Sequence, residues 1–157
     1  MLTKRKFAPT VEAMVTLNKY ARDIAAEADV NACTDITGFG LAGHACEMAR
    51  GSGKTIVLSA GALPLLPYAL EMAEKDMAPG GTERNRAFFG PFLVTGGSLP
   101  PPYLDILYDP QTSGGLLLAV VEADARGLLE KLKAVCPGAA IVGRVTEFDG
   151  APVRVAP

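Results

Sequence analysis

Basic residues are in no excess in this chain: Lys and Arg number 15 against 17 Asp and Glu, a formal charge of −2. Nothing here draws the chain nonspecifically to a phosphate backbone, so nucleic acid is not an expected partner. Cysteine is scarce and unpatterned. Cys33, Cys46 and Cys136 form no CxxC and no close Cys/His pair, which excludes a zinc module. An odd cysteine count, in a chain able to bury roughly 70% of its unfolded surface, argues against a disulfide framework and for a reduced, cytoplasmic setting. Each thiol reads as a small buried hydrophobe. Histidine occurs once, as His44, and a lone histidine beside an apolar helix face reads as packed rather than catalytic.

Long apolar runs are also missing. The longest uncharged run, Ala87 to Leu104, holds Pro91, Pro100, Pro101, Pro102, Gly90, Gly96 and Gly97. A helix in lipid does not tolerate that density of breakers, so the run reads as a loop, and no membrane partner is expected. The charged start, Met1 to Lys6, is followed by no apolar signal core.

What remains is ordinary globular composition, 49% hydrophobic and 20% charged. Thr10 reads as the N-cap of a helix running to about Glu27, with Val11, Met14, Val15, Ala21 and Ala25 on one face. Val30 to Thr34 reads as a short strand. A helix from about Phe39 to Arg50 should stop at Gly51. Lys54 to Ser59 reads as a strand, and Leu65 to Lys75 as a helix with Pro67 near its first turn. Pro79-Gly80-Gly81 reads as a break before a short helix from Arg84 to Phe89. Leu116 to Val121 reads as a buried strand and Asp124 to Val135 as a helix. Ile141 to Phe148 and Pro152 to Val155 read as two strands of a hairpin turning at Asp149-Gly150. The sum is an α/β (α+β) fold, a mixed sheet of about four or five strands layered with helices. The segment from Gly80 to Tyr103 is expected to be its most mobile part.

Gly51-Ser52-Gly53-Lys54-Thr55 ends like a phosphate loop, but Met48 stands where the pattern needs glycine. The segment also closes a helix and opens a strand, the reverse of the order that aims a helix N-terminus at phosphates. It reads as a helix end and a turn.

Three stretches can carry chemistry. Thr34-Asp35-Ile36-Thr37-Gly38 places an acid between a strand and a glycine-bearing helix start. A carboxylate there suits Mg²⁺, which takes one or two such oxygens and keeps waters or phosphate oxygens besides. By local pattern alone Asp35 or Thr37 reads equally as the cap of the following helix. Asp109 to Gly115 offers hydroxyls and N–H groups to an anion, or closes on itself as a turn. Gly80 to Arg86 holds Arg84 and Arg86, able to meet phosphate or simply solvated.

Together these stretches resemble selenophosphate synthetase (selenide, water dikinase). The residues that carry the likeness are Thr34 to Leu41 with Gly43-His44 and Glu47-Met48, then Pro79 to Thr82 with Arg84-Asn85, then Asp109 to Leu117, and Met14 with Leu17-Asn18 upstream. The resemblance implies that residues 1–157 form a single domain like the C-terminal half of that enzyme, related to the same half of aminoimidazole ribonucleotide synthetase and partly ferredoxin-like. The family's nucleophile, its neighbouring lysine, its glycine-rich segment and most of its metal-binding aspartates belong to the N-terminal half, so no catalytic residue is assigned here. Asp35 matches the family's one metal-binding aspartate in this half, which favours a metal ligand over a mere cap. Thr37, Gly38, Thr82, Arg84, Asn85, Thr112 and Ser113 are the candidates for cofactor contact. The implied cofactors are Mg²⁺ and ATP, the implied substrates ATP and selenide, and the implied partners the enzyme's own N-terminal domain and a second copy in a homodimer. The products would be selenophosphate, AMP and phosphate, and the fragment alone is expected to be inactive. A binding or assembly module without chemistry, or a purine-pathway synthetase domain, are the other functions this fold could serve.

Overall fold

The computed structural model describes residues 4–97 and 99–157. Met1 to Thr3 of the charged start and Ser98 of the uncharged run lie outside the described residues. The elements run α1 (Lys4–Val15), α2 (Lys19–Ala25), β1 (Val30–Asp35), α3 (Gly40–Ser52), β2 (Lys54–Ser59), α4 (Ala69–Glu74), α5 (Gly80–Phe89), β3 (Leu93–Thr95), α6 (Pro101–Tyr108), β4 (Leu116–Val120), α7 (Glu122–Lys133), β5 (Gly143–Glu147) and β6 (Val153–Ala156).

The expected α/β layering is present, but the strands divide into two sheets rather than one. β1 pairs antiparallel with β4, and a four-stranded sheet runs β3-β6-β2-β5. The chain makes two β-α-β passes, β1-α3-β2 and β4-α7-β5; their first strands pair with each other, and so do their second strands. The repeated β-α-β order is as far as the ferredoxin likeness goes, since the two passes are split between two sheets and do not share one. The core lies between α3 and the larger sheet. Ala42, Ala45, Cys46 and Ala49 give α3 a face of small side chains, which lets it approach Leu58, Val153 and Val155 closely, and Phe89, Leu107 and Tyr108 close the same cluster.

Several local expectations are corrected, each for a physical reason. Thr10 is no cap: α1 begins at Lys4 and carries Pro9 inside it. The single long helix is two, α1 ending at Val15 and α2 starting at Lys19 after Asn18, whose side chain reaches across to the Gly114 carbonyl. Gly51 stays helical, and the left-handed residue that ends α3 is Gly53, at φ 65°. The helix expected from Leu65 starts only at Ala69, since Pro67 disfavours helical backbone at Leu66 and Tyr68 takes a left-handed conformation at φ 69°. Gly80 and Gly81 do not break the chain but form the first turn of α5, and the uncharged run contains β3 and the first half of α6, whose start is Pro101-Pro102. Proline in a helix's first turn forfeits no hydrogen bond, so it opens α6 rather than preventing it. Much of the described part of the segment from Gly80 to Tyr103 is thus helix and strand, with Thr82, Asn85 and Phe89 buried. Cys46 is buried as expected, whereas Cys33 and Cys136 are exposed, the first on the outward face of β1 and the second past the end of α7.

The hairpin at Asp149-Gly150 is also overturned. β5 and β6 do not pair; β2 lies between them, antiparallel to β5 and parallel to β6. The connection therefore crosses the end of β2, where Thr55 anchors it. The buried Thr55 hydroxyl donates to the Ala151 carbonyl at 2.6 Å and accepts from the Asp149 amide at 3.2 Å. Thr55→Val keeps the shape and strands both partners, and is expected to cost about 1–3 kcal/mol by urea denaturation. A loss below a few tenths of a kcal/mol would show that the crossing holds without it.

Candidate functional site

β1 delivers Asp35 to its C-terminal end, where its register partner is Leu116 at the start of β4. The chain then turns through Ile36 to Phe39 and enters α3 at Gly40. Three of the stretches singled out by sequence meet at this turn. From the loop after α6, the Gly114 amide donates to the Ile36 carbonyl at 3.0 Å and the Gln111 amide to the Thr37 carbonyl at 3.0 Å, while the Ile36 amide donates to the Gly115 carbonyl at 2.9 Å. From α5, the buried Asn85 side-chain amide donates to the Gly38 and Tyr108 carbonyls, both at 2.9 Å. Asn18, between α1 and α2, adds a bond from its side-chain amide to the Gly114 carbonyl at 3.0 Å.

Gly40 shows how closely these parts fit. Its φ is +70°, and a Cβ there would lie 2.9 Å from the Leu107 and Asp109 carbonyl oxygens. Only glycine combines that conformation with that proximity. Gly81 is similarly placed, because a Cβ would lie 2.7 Å from the Pro110 ring.

The cap reading of Asp35 and Thr37 does not survive. The residue preceding α3 is Phe39, with no side-chain cap bond. The Thr37 hydroxyl is instead 3.1 Å from His44 Nε2, and His44 Nδ1 lies 3.4 Å from the Glu47 carboxylate. His44 is 8% exposed and its ring sits 5.5 Å from that of Phe39, so it packs as expected and braces the turn. Asp35 is exposed, and among the described residues its carboxylate has no hydrogen-bond or ion-pair partner.

The candidate contact residues divide by accessibility. Gly38, Arg84, Thr112 and Ser113 are exposed and Thr37 is half-buried. Thr82 and Asn85 are buried behind them. Arg86 pairs with Asp105 and lies over the Tyr108 ring, 5.9 Å from its centroid. Among the described residues no three His, Cys, Asp or Glu converge as a metal cluster, and no helix is long and apolar enough to cross a membrane. Gly51 to Thr55 close α3 and open β2, as the reversed phosphate-loop context required.

The electrostatics discourage a thiol nucleophile. Burial pushes Cys46 up to about 11, and burial together with the Asp35 charge raises Cys33. Burial also raises Asp109, assisted by the Asp105 charge and opposed by the hydrogen bond from Gln111. Asp109 and Gln111 stood in the motif but were not singled out from the sequence. Their importance comes from a contact with Thr37 that lies far away in the chain.

Residues 4–155 match the family described as AIR synthase related protein, C-terminal domain. Proteins named selenide, water dikinase are among the relatives. That of Clostridium botulinum (strain Eklund 17B / Type B) is 36% identical over 99% of this chain and 45% of its own length. That of Treponema denticola is 44% identical over 90% and 41%, and that of Caldanaerobacter subterraneus subsp. tengcongensis 45% identical over 94% and 43%. The chain therefore spans less than half the length of these curated relatives. Among solved structures, the crystal structure of E. coli HypE superimposes with a TM-score of 0.54 at 22% identity, covering 86% of this chain and 34% of that one, and shares the fold.

Proposed function

Because the chain belongs to the family of AIR synthase related proteins, as their C-terminal domain, we propose that it is the C-terminal domain of a selenide, water dikinase, which turns selenide, ATP and water into selenophosphate, AMP and phosphate. The resemblance in its motifs and the names of its relatives support this reading. The observation that carries it is the meeting of three motif stretches beside one uncommitted carboxylate.

The donor set fits Mg²⁺ in part. Asp35 is a hard oxygen ligand with nothing else to satisfy, and Mg²⁺ asks a protein for only one or two such groups. When bound, the ion screens the negative charge of the nucleotide phosphates. Asp35 would supply one carboxylate, with the remainder coming from the enzyme's N-terminal domain. Gly38, Thr37, Thr112 and Ser113 line the same turn, and Arg84 adds an exposed guanidinium on α5. Asn85 acts from behind, holding the turn in place, and Thr82 is buried beside it on α5.

The companion domain also explains α1. Phe7, Val11, Met14 and Val15 recur at helical spacing and are between 41% and 69% exposed. A stripe this large is unusual on a finished surface. One helix of 12 residues offers less than the roughly 800 Å² per partner that separate proteins bury in a stable complex. A domain on the same polypeptide needs less, because its effective concentration is already about millimolar. We therefore assign this stripe to the N-terminal domain rather than to the second copy of the proposed homodimer. A reduced, cytoplasmic setting suits the free thiols.

The test is direct. The 157-residue chain alone, given Mg²⁺, ATP and selenide, is expected to release no AMP, whereas the same sequence joined to its N-terminal domain releases AMP in step with selenophosphate. Turnover by the isolated chain, or none by the joined protein, overturns the proposal.

A further inference from the structure

The loop after α6 is tied to the turn before α3 by backbone hydrogen bonds, and one side chain, Gln111, braces the loop from within. Gln111 Nε2 donates to the Asp109 carboxylate at 2.7 Å and to the Asp109 carbonyl at 3.2 Å, while the Gln111 amide donates to the Thr37 carbonyl at 3.0 Å. Asp109 thus folds Gln111 back over its own backbone and presents the Gln111 amide to the turn. The Asp109 carbonyl is one of the two that crowd Gly40, so the same residue abuts the entrance of α3. Thr82 of α5 is buried close to the carboxylate, but its hydroxyl makes no hydrogen bond among the described residues.

We propose that Asp109 is a positioning residue, whose carboxylate sets the spacing between the Thr37-Gly38 turn and the Thr112-Ser113 loop. This rests on the site described above, but it concerns the chain's internal geometry and can be tested without any activity. The charged or polar groups around Asp109 are Gln111 on its own loop, Asp105 on α6 and Thr82 on α5; Arg86 of α5 is paired with Asp105. Protonation of Asp109 removes the negative charge that Gln111 bonds to, so the loop should sense its titration. The direction is fixed: burial raises this carboxyl, so it ionises at a higher pH than an unhindered aspartate and its protonated form lasts longer in the fold.

The experiment follows backbone amide resonances of the 157-residue chain between about pH 3 and pH 7, a range that brackets ordinary and raised aspartates. The amides of Thr37, Gly38, Gln111 and Gly114 are expected to shift together with one midpoint above that of exposed aspartates. Asp109→Asn, which keeps an acceptor for Gln111, should abolish that common titration and leave the Gln111 amide protected from exchange. Asp109→Ala should abolish it too, and speed exchange at that amide ~10-fold. Asp105→Asn should shift the midpoint downward but leave the titration in place. Survival of the common titration in Asp109→Asn, or unchanged protection in Asp109→Ala, overturns the proposal. Failure of the dikinase reading would leave these resonances untouched, so the two ideas fail separately.

Discussion

Gly114→Ala is expected to destabilise the domain by about 3 kcal/mol or more, the upper range for forcing extra volume into a packed site. A Cβ at this position would lie 2.3 Å from the Ile36 carbonyl oxygen and 3.0 Å from the Ile36 Cβ. The neighbours include backbone, so no rotamer change relieves the clash. Ile36 cannot retreat either, because its amide and carbonyl are both bonded to this loop and the residue before it is in register with β4. The same movement would break the Gly114 amide bond to Ile36 and loosen the Asn18 bond to the Gly114 carbonyl. For a domain near this size the loss corresponds to a fall in Tm of roughly 6–12 °C. Gly115→Ala is the control, since nothing lies within 4 Å of a Cβ there, and it is expected to stay within about 1 kcal/mol of the parent. Equal stability of the two variants in urea would show that the loop does not fit against the turn as described.

How much of this could be read from the chain depends on how local the deciding interaction is. β2 matched its reading from Lys54 to Ser59, because Thr55-Ile56-Val57-Leu58 favours a strand in any context. The false hairpin arose from a signal that was locally sound. Asp149-Gly150 does turn the chain, at φ +102° for Gly150, but a turn does not say which strand lies between its two arms. That was decided by Thr55, almost a hundred positions away and bonded to both sides of the connection. The uncharged run hid α6 because proline stops a helix in its interior yet starts one in its first turn, and only the partners of Leu107 and Tyr108 settle which applies. At the site, residue type and motif drew attention to Asp35, while the geometry of its surroundings was out of reach. Asn85 drew notice as a ligand candidate, but its buried amide joins Gly38 to Tyr108, a task that exists only once α5 and α6 have met.

Asp35→Asn should separate chemistry from folding in the complete enzyme. The side chain is exposed, ends a strand and has no hydrogen-bond or ion-pair partner among the described residues, so replacing one oxygen by an amide removes nothing the fold uses. The isolated domain should keep its Tm within about 1 °C, as for a surface change away from packed features. The joined protein should lose activity ~100-fold and require more Mg²⁺ to reach its reduced maximum, because a neutral amide oxygen is a far poorer ligand than a carboxylate for a hard cation. A second readout needs no activity. The Asp35 charge is one of the two causes that raise the Cys33 thiol, the lesser one after burial. Its removal should ease ionisation of Cys33 and quicken alkylation there at a fixed pH, while Cys136, exposed beyond α7, reacts as before. Faster labelling with full activity and unchanged Mg²⁺ demand would place Asp35 where the structure puts it and still deny it the metal. Lost activity together with an unfolded domain would mean that the carboxylate serves the fold after all.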